Sequence, residues 1–277
     1  MEWIEAMNYA INYMEEHLTT KICARDISEQ VYLSEFYFQK GFKILTGYTV
    51  GEYVRNRRLT LAAYDILKGN ESLIDIAYKY QYETPESFSK AFRRFHGINP
   101  SQVSNMSYML KPFQRLIIKI EVEGGNKMNV RVERKDLIKL YGLEKEFNIE
   151  TSYSEIPIFW DEYFKEDRQE LKGTYGVCID LEKKGIFRYL IADDYLGQEL
   201  PDRFKIVEVP EMEWAIFECR GPLPTALQTV NTRIWSEWLP GNGTYELAAG
   251  INIEKYSEGD INSPDYLSEI WIPVKKK

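Results

Sequence analysis

Two sets of side chains in this 277-residue chain could do chemistry. The first lies in Ser87-Phe88-Ser89-Lys90-Ala91-Phe92-Arg93-Arg94-Phe95, where Ser87, Lys90, Arg93 and Arg94 fall mainly on one side of a helix and the apolar residues on the other. A short helix that buries one stripe and shows hydroxyls and cations on the opposite stripe is shaped for a major groove, with its cations at the phosphates. The second set is acidic and aromatic. Over 267–274, period-two alternation puts Leu267, Glu269, Trp271 and Pro273 on one face and Ser268, Ile270, Ile272 and Val274 on the other. Both faces read as buried, so Glu269 is a carboxylate among apolar neighbours, which is costly unless it is paired or hydrogen-bonded, commonly by Tyr hydroxyls. Tyr189, Tyr195, Tyr245 and Tyr256 are candidate partners, and Glu218, on the strand face of Trp214 and Ile216, is the second acidic candidate. A ring beside such a carboxylate attracts a cation over its face, worth ~0.5 to 2 kcal/mol. Rings are abundant, with 20 Tyr and 6 Trp.

The elements that must position the first set are helical. Residues 3–17 carry Ile4, Met7, Ala10, Ile11 and Met14 at helical spacing; 24–30 gives Ala24, Ile27 and Val31 to a core; Ser34 caps 35–45, with Phe38, Phe42 and Leu45 inward. A longer helix over 50–68 ends at Gly69-Asn70 and faces inward through Tyr53, Leu59, Ala62, Ala63, Ile66 and Leu67. Helices over 71–79 and 85–95 follow. The first buries Ile74, Ala77 and Tyr78, and the second opens with Pro85, whose missing N–H costs nothing there. Two helix-turn-helix units in series, joined by the long helix, are therefore expected over 1–106.

That tandem, with Tyr53-Val54-Arg55-Asn56-Arg57-Arg58-Leu59, Ile76-Ala77, the Ser87 to Phe92 run and Gly97-Ile98-Asn99-Pro100-Ser101, resembles the AraC/XylS family of bacterial transcription regulators over roughly the first 105 residues. The resemblance implies base-edge and phosphate contacts at Phe36, Gln39, Lys40 and Lys43 in the first reading helix and at Glu86, Ser87, Lys90 and Arg94 in the second. It implies promoter DNA as partner and brings in RNA polymerase as a further candidate. Where the family usually has Gly in each inter-helix turn, this chain has Tyr32 and Gln81, so residues with side chains must take up those turns at a cost. Glu86, as an acceptor, would favour a cytosine amino group and repel phosphate.

After a segment at 107–126, read as a linker centred on Glu123-Gly124-Gly125-Asn126 or as a first strand beginning near Gln114, the pattern becomes strand, helix, strand, strand, twice over. The first copy has strands at 130–134, 174–181 and 187–193, a loop through Leu140-Tyr141-Gly142-Leu143, and a helix at 156–165. The second has strands at 204–209, 214–219, 245–254 and 267–274 and a helix at 225–238. Trp160 and Trp235 hold equivalent places in the two helices, with Trp238 further along the second. The expected fold class is an N-terminal all-helical tandem helix-turn-helix domain followed by a duplicated βαββ α+β domain with a cleft between pseudo-symmetric halves. Over 127–277, with Arg233-Ile234-Trp235-Ser236-Glu237-Trp238, Ile253-Glu254-Lys255-Tyr256 and Glu269-Ile270-Trp271-Ile272, the chain resembles GyrI-like ligand-binding domains. These accompany DNA-binding heads in multidrug and effector-sensing regulators. The resemblance implies an aromatic cleft whose buried acid pairs with cationic, lipophilic ligands. Glu269, Trp271, Glu218, Trp214, Trp160, Tyr189, Tyr195, Trp235, Tyr245 and Tyr256 are its candidate lining.

Two alternatives accompany that reading. One is a hydrolase of strained electrophiles that uses Glu269 or Glu218 with Tyr256 as acid and base; the other is an inhibitory module acting on a protein such as a topoisomerase. No Ser-His-Asp set and no phosphate-cradling Gly loop is present in the sequence, so no catalytic residue and no cofactor is assigned. Cys23, Cys178 and Cys219 are widely separated and only His17 and His96 could add imidazole, which fits reduced thiols and no metal. The acidic start and the lack of an apolar run long enough for a bilayer predict a cytoplasmic protein with no membrane partner. Charge predicts a modest salt dependence of DNA binding. Residues 1–105 hold 12 Lys plus Arg against 13 Asp plus Glu, and the remainder 23 against 30. Local clusters at Arg55, Arg57 and Arg58 and at Lys90, Arg93 and Arg94 must then supply the attraction.

Overall fold

The computed structural model describes residues 3–119, 128–166, 170–183 and 185–277. It divides into two compact units, Met1–Ser34 with Phe42–Lys119, and Glu35–Gly41 with Ile120–Lys277.

The helices run α1 (Trp3–Glu16), α2 (Ala24–Gln30), α3 (Glu35–Thr46), α4 (Val50–Lys68), α5 (Leu73–Lys79) and α6 (Pro85–His96). Their ends are set by local chemistry. Thr49 accepts from the Glu52 N–H while the Glu52 carboxylate accepts from the Thr49 N–H, a reciprocal cap that starts α4, and Gly69 stops it at φ 70°. Ser72 and Thr84 cap α5 and α6 in the same donor-to-hydroxyl manner. The two inter-helix turns are left-handed at Tyr32 (φ 56°) and Gln81 (φ 66°), as the missing glycines demanded.

The second helix pair packs Ile76, Ala77, Tyr80, Phe88 and Phe92 on Leu59, Ala62 and Ala63 of α4. Ile74 and Tyr78, expected inside, are 54% and 53% exposed, and Leu67 also faces out. The reason is length. With its cap at Ser72, α5 has only two turns, and the stripe that meets α4 is Ile76, Ala77 and Tyr80. Asp65 ties these helices together by accepting from Lys68, Lys79 and the Tyr80 hydroxyl at 2.8–2.9 Å. Burial pushes its carboxyl up, but those three bonds outweigh burial and hold it down at about 2.

Residues 107–119 belong to this unit and carry no strand. Side chains strap them down. The Lys111 N–H donates to His96 Nδ1 (3.1 Å) and the Phe113 N–H to Thr60 Oγ1 (3.0 Å), while Arg57 Nη1 donates to the Phe113 carbonyl (2.6 Å). Asn8 grips both backbone groups of Ile118, at 2.8 and 3.0 Å. The glycine pair expected as the linker centre lies outside the described residues.

The second unit holds β1 (Val130–Lys135), β2 (Ile138–Asn148), α7 (Ser152–Glu166), β3 (Tyr175–Lys183), β4 (Ile186–Asp194), β5 (Lys205–Val209), β6 (Met212–Arg220), α8 (Thr225–Arg233), β7 (Tyr245–Leu247), β8 (Ile251–Tyr256) and β9 (Leu267–Lys276); α8 runs on as a π-helical turn, Ile234–Trp238. The strands form one antiparallel sheet in the order β1-β6-β9-β8-β3-β4-β2-β5, with β7 on β9. Exchanging β1 with β5, β2 with β6, β3 with β8 and β4 with β9 returns the same order read backwards. One sheet face carries a core of Leu140, Tyr175, Val177, Leu190, Trp214, Ile216, Ile253 and Trp271. The segment at Leu140-Tyr141-Gly142-Leu143 is strand and not loop. Gly142 is there because a Cβ would run into the Ile191 carbonyl of β4, so this glycine marks close backbone approach and not a turn.

Candidate functional site

A cavity of about 900 Å³ opens on the other sheet face, within the size range of small-molecule sites. One wall is a single stripe of α7: Tyr153, Ile156, Pro157, Trp160 and Phe164, spaced three and four residues apart. Leu227 and Asn231 of α8, with Leu223 and Pro224 before it, make another wall, and Ile261 and Tyr266 a third. The floor is the sheet, through Phe187 and Tyr189 of β4, Cys178 of β3, and Glu254 and Tyr256 of β8.

Alternation on β8 explains the floor. Ile251 and Ile253 point into the core, which turns Asn252, Glu254 and Tyr256 to the cavity side. The Tyr256 hydroxyl donates to Glu254 Oε2 at 2.7 Å, and Trp160 Nε1 donates to the Tyr189 hydroxyl at 2.9 Å. Burial pushes both phenols well above the usual tyrosine range, and the Glu254 carboxylate adds to the effect, so both stay protonated donors. Gly176 faces Glu254 in register across β3 and β8, and a Cβ there would strike the Tyr189 hydroxyl and come 3.4 Å from Glu254 Oε2. The missing side chain is the space these groups fill. Gly176→Ala should therefore displace Tyr189 and lower ligand affinity, with little change in the core-face packing; a titration showing wild-type affinity would contradict this. Lys40, whose ammonium donates to Asn252 Oδ1 at 2.9 Å, and Lys172, paired with Glu258 at 3.3 Å, also reach the lining.

Of the ligand residues expected from sequence, Trp160, Tyr189 and Tyr256 line this cavity. Glu269 and Trp271 do not. They lie on the opposite sheet face, where Glu269 takes Arg131 Nη2 and Trp271 Nε1, each at 2.7 Å. Glu218 is held by Asn129 and Arg220, and Trp214 is sealed in the core. Trp235 is buried behind the α8 wall, donating to Asn231, while Tyr195 and Tyr245 stand away from the cavity. Glu254 was missed although its signal is present: in Ile251-Asn252-Ile253-Glu254-Lys255-Tyr256 the polar residues alternate with isoleucines.

On α6, Glu86, Ser87, Lys90 and Arg94 are all exposed, with Arg93 beside them. On α3 the picture differs. Phe36 and Gln39 are 3% and 5% exposed, and Lys40 is engaged by Asn252. Phe36 packs on Tyr37 and Phe187 at centroid distances of 5.4 Å, which closes it to bases in this structure. Lys43 is partly exposed and donates to the Gly47 carbonyl at 2.8 Å.

A tandem helix-turn-helix is thus followed by a sheet domain with an open, largely apolar and aromatic cavity, the combination of a helix-turn-helix domain with a small-molecule-binding domain. The chain belongs to the family of the GyrI-like small molecule binding domain, whose sequence model matches residues 128–275, and an AraC-type helix-turn-helix domain matches residues 27–106. The transcriptional activator AarP of Providencia stuartii is 36% identical over 89 residues, 32% of this chain and 66% of that protein. The regulatory protein SoxS of Salmonella typhimurium is 33% identical over 91 residues, 33% of this chain and 85% of that protein. This chain thus spans just under two thirds of AarP. Among solved structures, SAV2435 bound to tetraphenylphosphonium superposes with a TM-score of 0.48 at 23% identity, over 53% of this chain and 94% of that one. No helix among the described residues is long and apolar enough to cross a membrane.

Proposed function

We propose that this regulator senses a lipophilic cation, taken into the cavity above β8 with its charge at Glu254 and its apolar groups against the α7 stripe. The observation that supports it is the floor carboxylate of Glu254, set among aromatic and aliphatic side chains and hydrogen-bonded by Tyr256 through one oxygen, with Asp161 and Glu258 also in the lining. An anionic guest would meet that carboxylate unpaired, whereas a cation gains its attraction and the faces of Trp160 and Tyr189. Ligand release is reversible, and occupancy shifts the balance between arrangements of different DNA affinity. We extend the proposal to a cytoplasmic location and to RNA polymerase as a partner at the promoter.

The test pairs tetraphenylphosphonium with its near-isosteric anion tetraphenylborate. Fluorescence titration of the full chain should give saturable binding of the cation and none of the anion; equal binding of both sinks the charge assignment. The DNA half is tested on an operator selected from random duplexes. Lys90→Ala and Arg94→Ala should each lower affinity and reduce the salt slope by about 1, leaving tetraphenylphosphonium binding intact. A second reading, hydrolysis, draws on the same Tyr256–Glu254 contact at 2.7 Å, a phenol and a carboxylate placed to serve as acid and base. Mass spectrometry of a strained electrophile after incubation separates it from sensing, since turnover gives product and sensing returns the ligand unchanged.

A further inference from the structure

The cavity lining carries charges of both signs, and two of them meet no opposite charge. Lys40 reaches the lining from the first half of α3, a stretch that belongs to the same compact unit as the sheet. Its half-buried ammonium has three donors and makes one hydrogen bond, to Asn252 Oδ1 at 2.9 Å, with the Phe36 ring centroid 5.6 Å away. Among the described residues it meets no carboxylate. Asn252 is 1% exposed, and its buried Nδ2 has no acceptor among the described residues. The pair therefore has donors to spare where an acceptor is missing, and buried donors left unmade are costly. Glu254 is the mirror case. It accepts from the Tyr256 hydroxyl and meets no cation among the described residues. The other charges of the lining are answered, since Lys172 pairs with Glu258 at 3.3 Å and Asp161 is exposed to solvent.

We propose that the ligand of this cavity is dipolar: besides the lipophilic cationic centre at Glu254 it carries an oxygen anion, a carboxylate in the simplest case, which Lys40 binds. This rests on the cavity being the ligand site with Glu254 as its acidic end. The spacing is set by β8. Asn252, which holds Lys40, and Glu254 stand two residues apart on one face of that strand, so the two ends of the site are roughly 7 Å apart along it. A plain cation satisfies Glu254 and leaves the ammonium facing a like charge. A guest with both charges satisfies both ends and brings no net charge into a largely apolar lining.

The experiment titrates the full chain, near neutral pH, with butyltriphenylphosphonium and with carboxypropyltriphenylphosphonium, which differ by a carboxylate in place of the terminal methyl. Wild type should bind the carboxylate compound about tenfold more tightly, the lower end of what a hydrogen bond to a charged group contributes. In Lys40→Met, which keeps the length of the side chain and removes its charge, the ratio of the two affinities should fall to about one. The methyl ester of the carboxylate compound is a control that needs no variant: it keeps the oxygens, loses the charge, and should lose most of the gain in wild type. A wild-type ratio of one or less, a ratio that survives Lys40→Met, or an ester as tight as the acid overturns the Lys40 end and leaves Glu254 as a cation site. If wild type binds neither phosphonium, the cavity is not the ligand site and both proposals fall.

Discussion

Glu254→Gln should weaken tetraphenylphosphonium binding by about ten- to a hundredfold, which is about 1.4 to 2.8 kcal/mol at 1.4 kcal/mol per decade. The substitution keeps the side chain's shape and removes its charge, and the amide oxygen can still accept from the Tyr256 hydroxyl that now lies 2.7 Å from Oε2. What is lost is the attraction between carboxylate and ligand in a pocket lined largely by Ile156, Pro157, Trp160, Phe187 and Leu227, where water screens poorly. Glu269→Gln is the control. It removes a carboxylate from the opposite sheet face, where Arg131 already neutralises it, and cation affinity should stay within about twofold. Isothermal titration of both variants decides the matter. Equal losses, or a loss in Glu269→Gln alone, would return the acidic site to β9.

The second large effect is on stability. Glu15 and Arg57 face each other across α1 and α4, 13% and 11% exposed, with Nε–Oε1 at 2.7 Å and Nη2–Oε2 at 2.8 Å, and the Tyr53 hydroxyl donates to the same carboxylate at 2.7 Å. Arg57→Ala leaves a nearly buried carboxylate with one hydroxyl for company and also frees the Phe113 carbonyl. Removing one partner of such a pair costs about 3 to 5 kcal/mol. Urea unfolding of the helical unit should show that loss, and operator binding should fall with it; a loss under 1 kcal/mol would mean that water already screens the pair. The pH dependence follows from the same contact. Burial raises the Glu15 carboxyl, but the bonds from Arg57 and Tyr53 outweigh it and hold the group below its ordinary 4.5. Glu15 therefore binds protons more weakly in the folded state, contributes stability above the unfolded value, and loses it as pH falls through the folded one. In Arg57→Ala that acid limb should flatten.

Sequence made the helical half legible because its signals are local. The Thr49 and Glu52 cap, Gly69, Pro85 and the three- and four-residue spacing of Phe88, Phe92 and Phe95 each act within a turn or two of helix. The misplaced stripe on α5 is the exception that a two-turn helix allows, since two neighbouring stripes fit equally well until α4 selects one. The sheet half is different. Its strands and helices could be read from alternation and repetition, but on β9 both faces are apolar, so period two could not say which face meets a ligand. That choice is made by α7 and α8 covering the Ile270 side, a fact of tertiary packing. Gly142 and Gly176 carry the same lesson in miniature: in sequence a strand glycine looks like a breaker, and only its neighbours, a carbonyl in one case and a phenol in the other, show why it is there.

The strap at 107–119 bears on where the helical unit can be cut. The matched helix-turn-helix domain stops at residue 106. A fragment ending there would lose the partners of His96 Nδ1, Thr60 Oγ1, Arg57 Nη1 and both ends of the Asn8 amide at one stroke. A fragment carried on to Lys119 keeps them all and should melt at a visibly higher temperature. The piece that keeps all of these contacts is thus longer than the matched motif, because the peptide leaving the motif doubles as its binding tape.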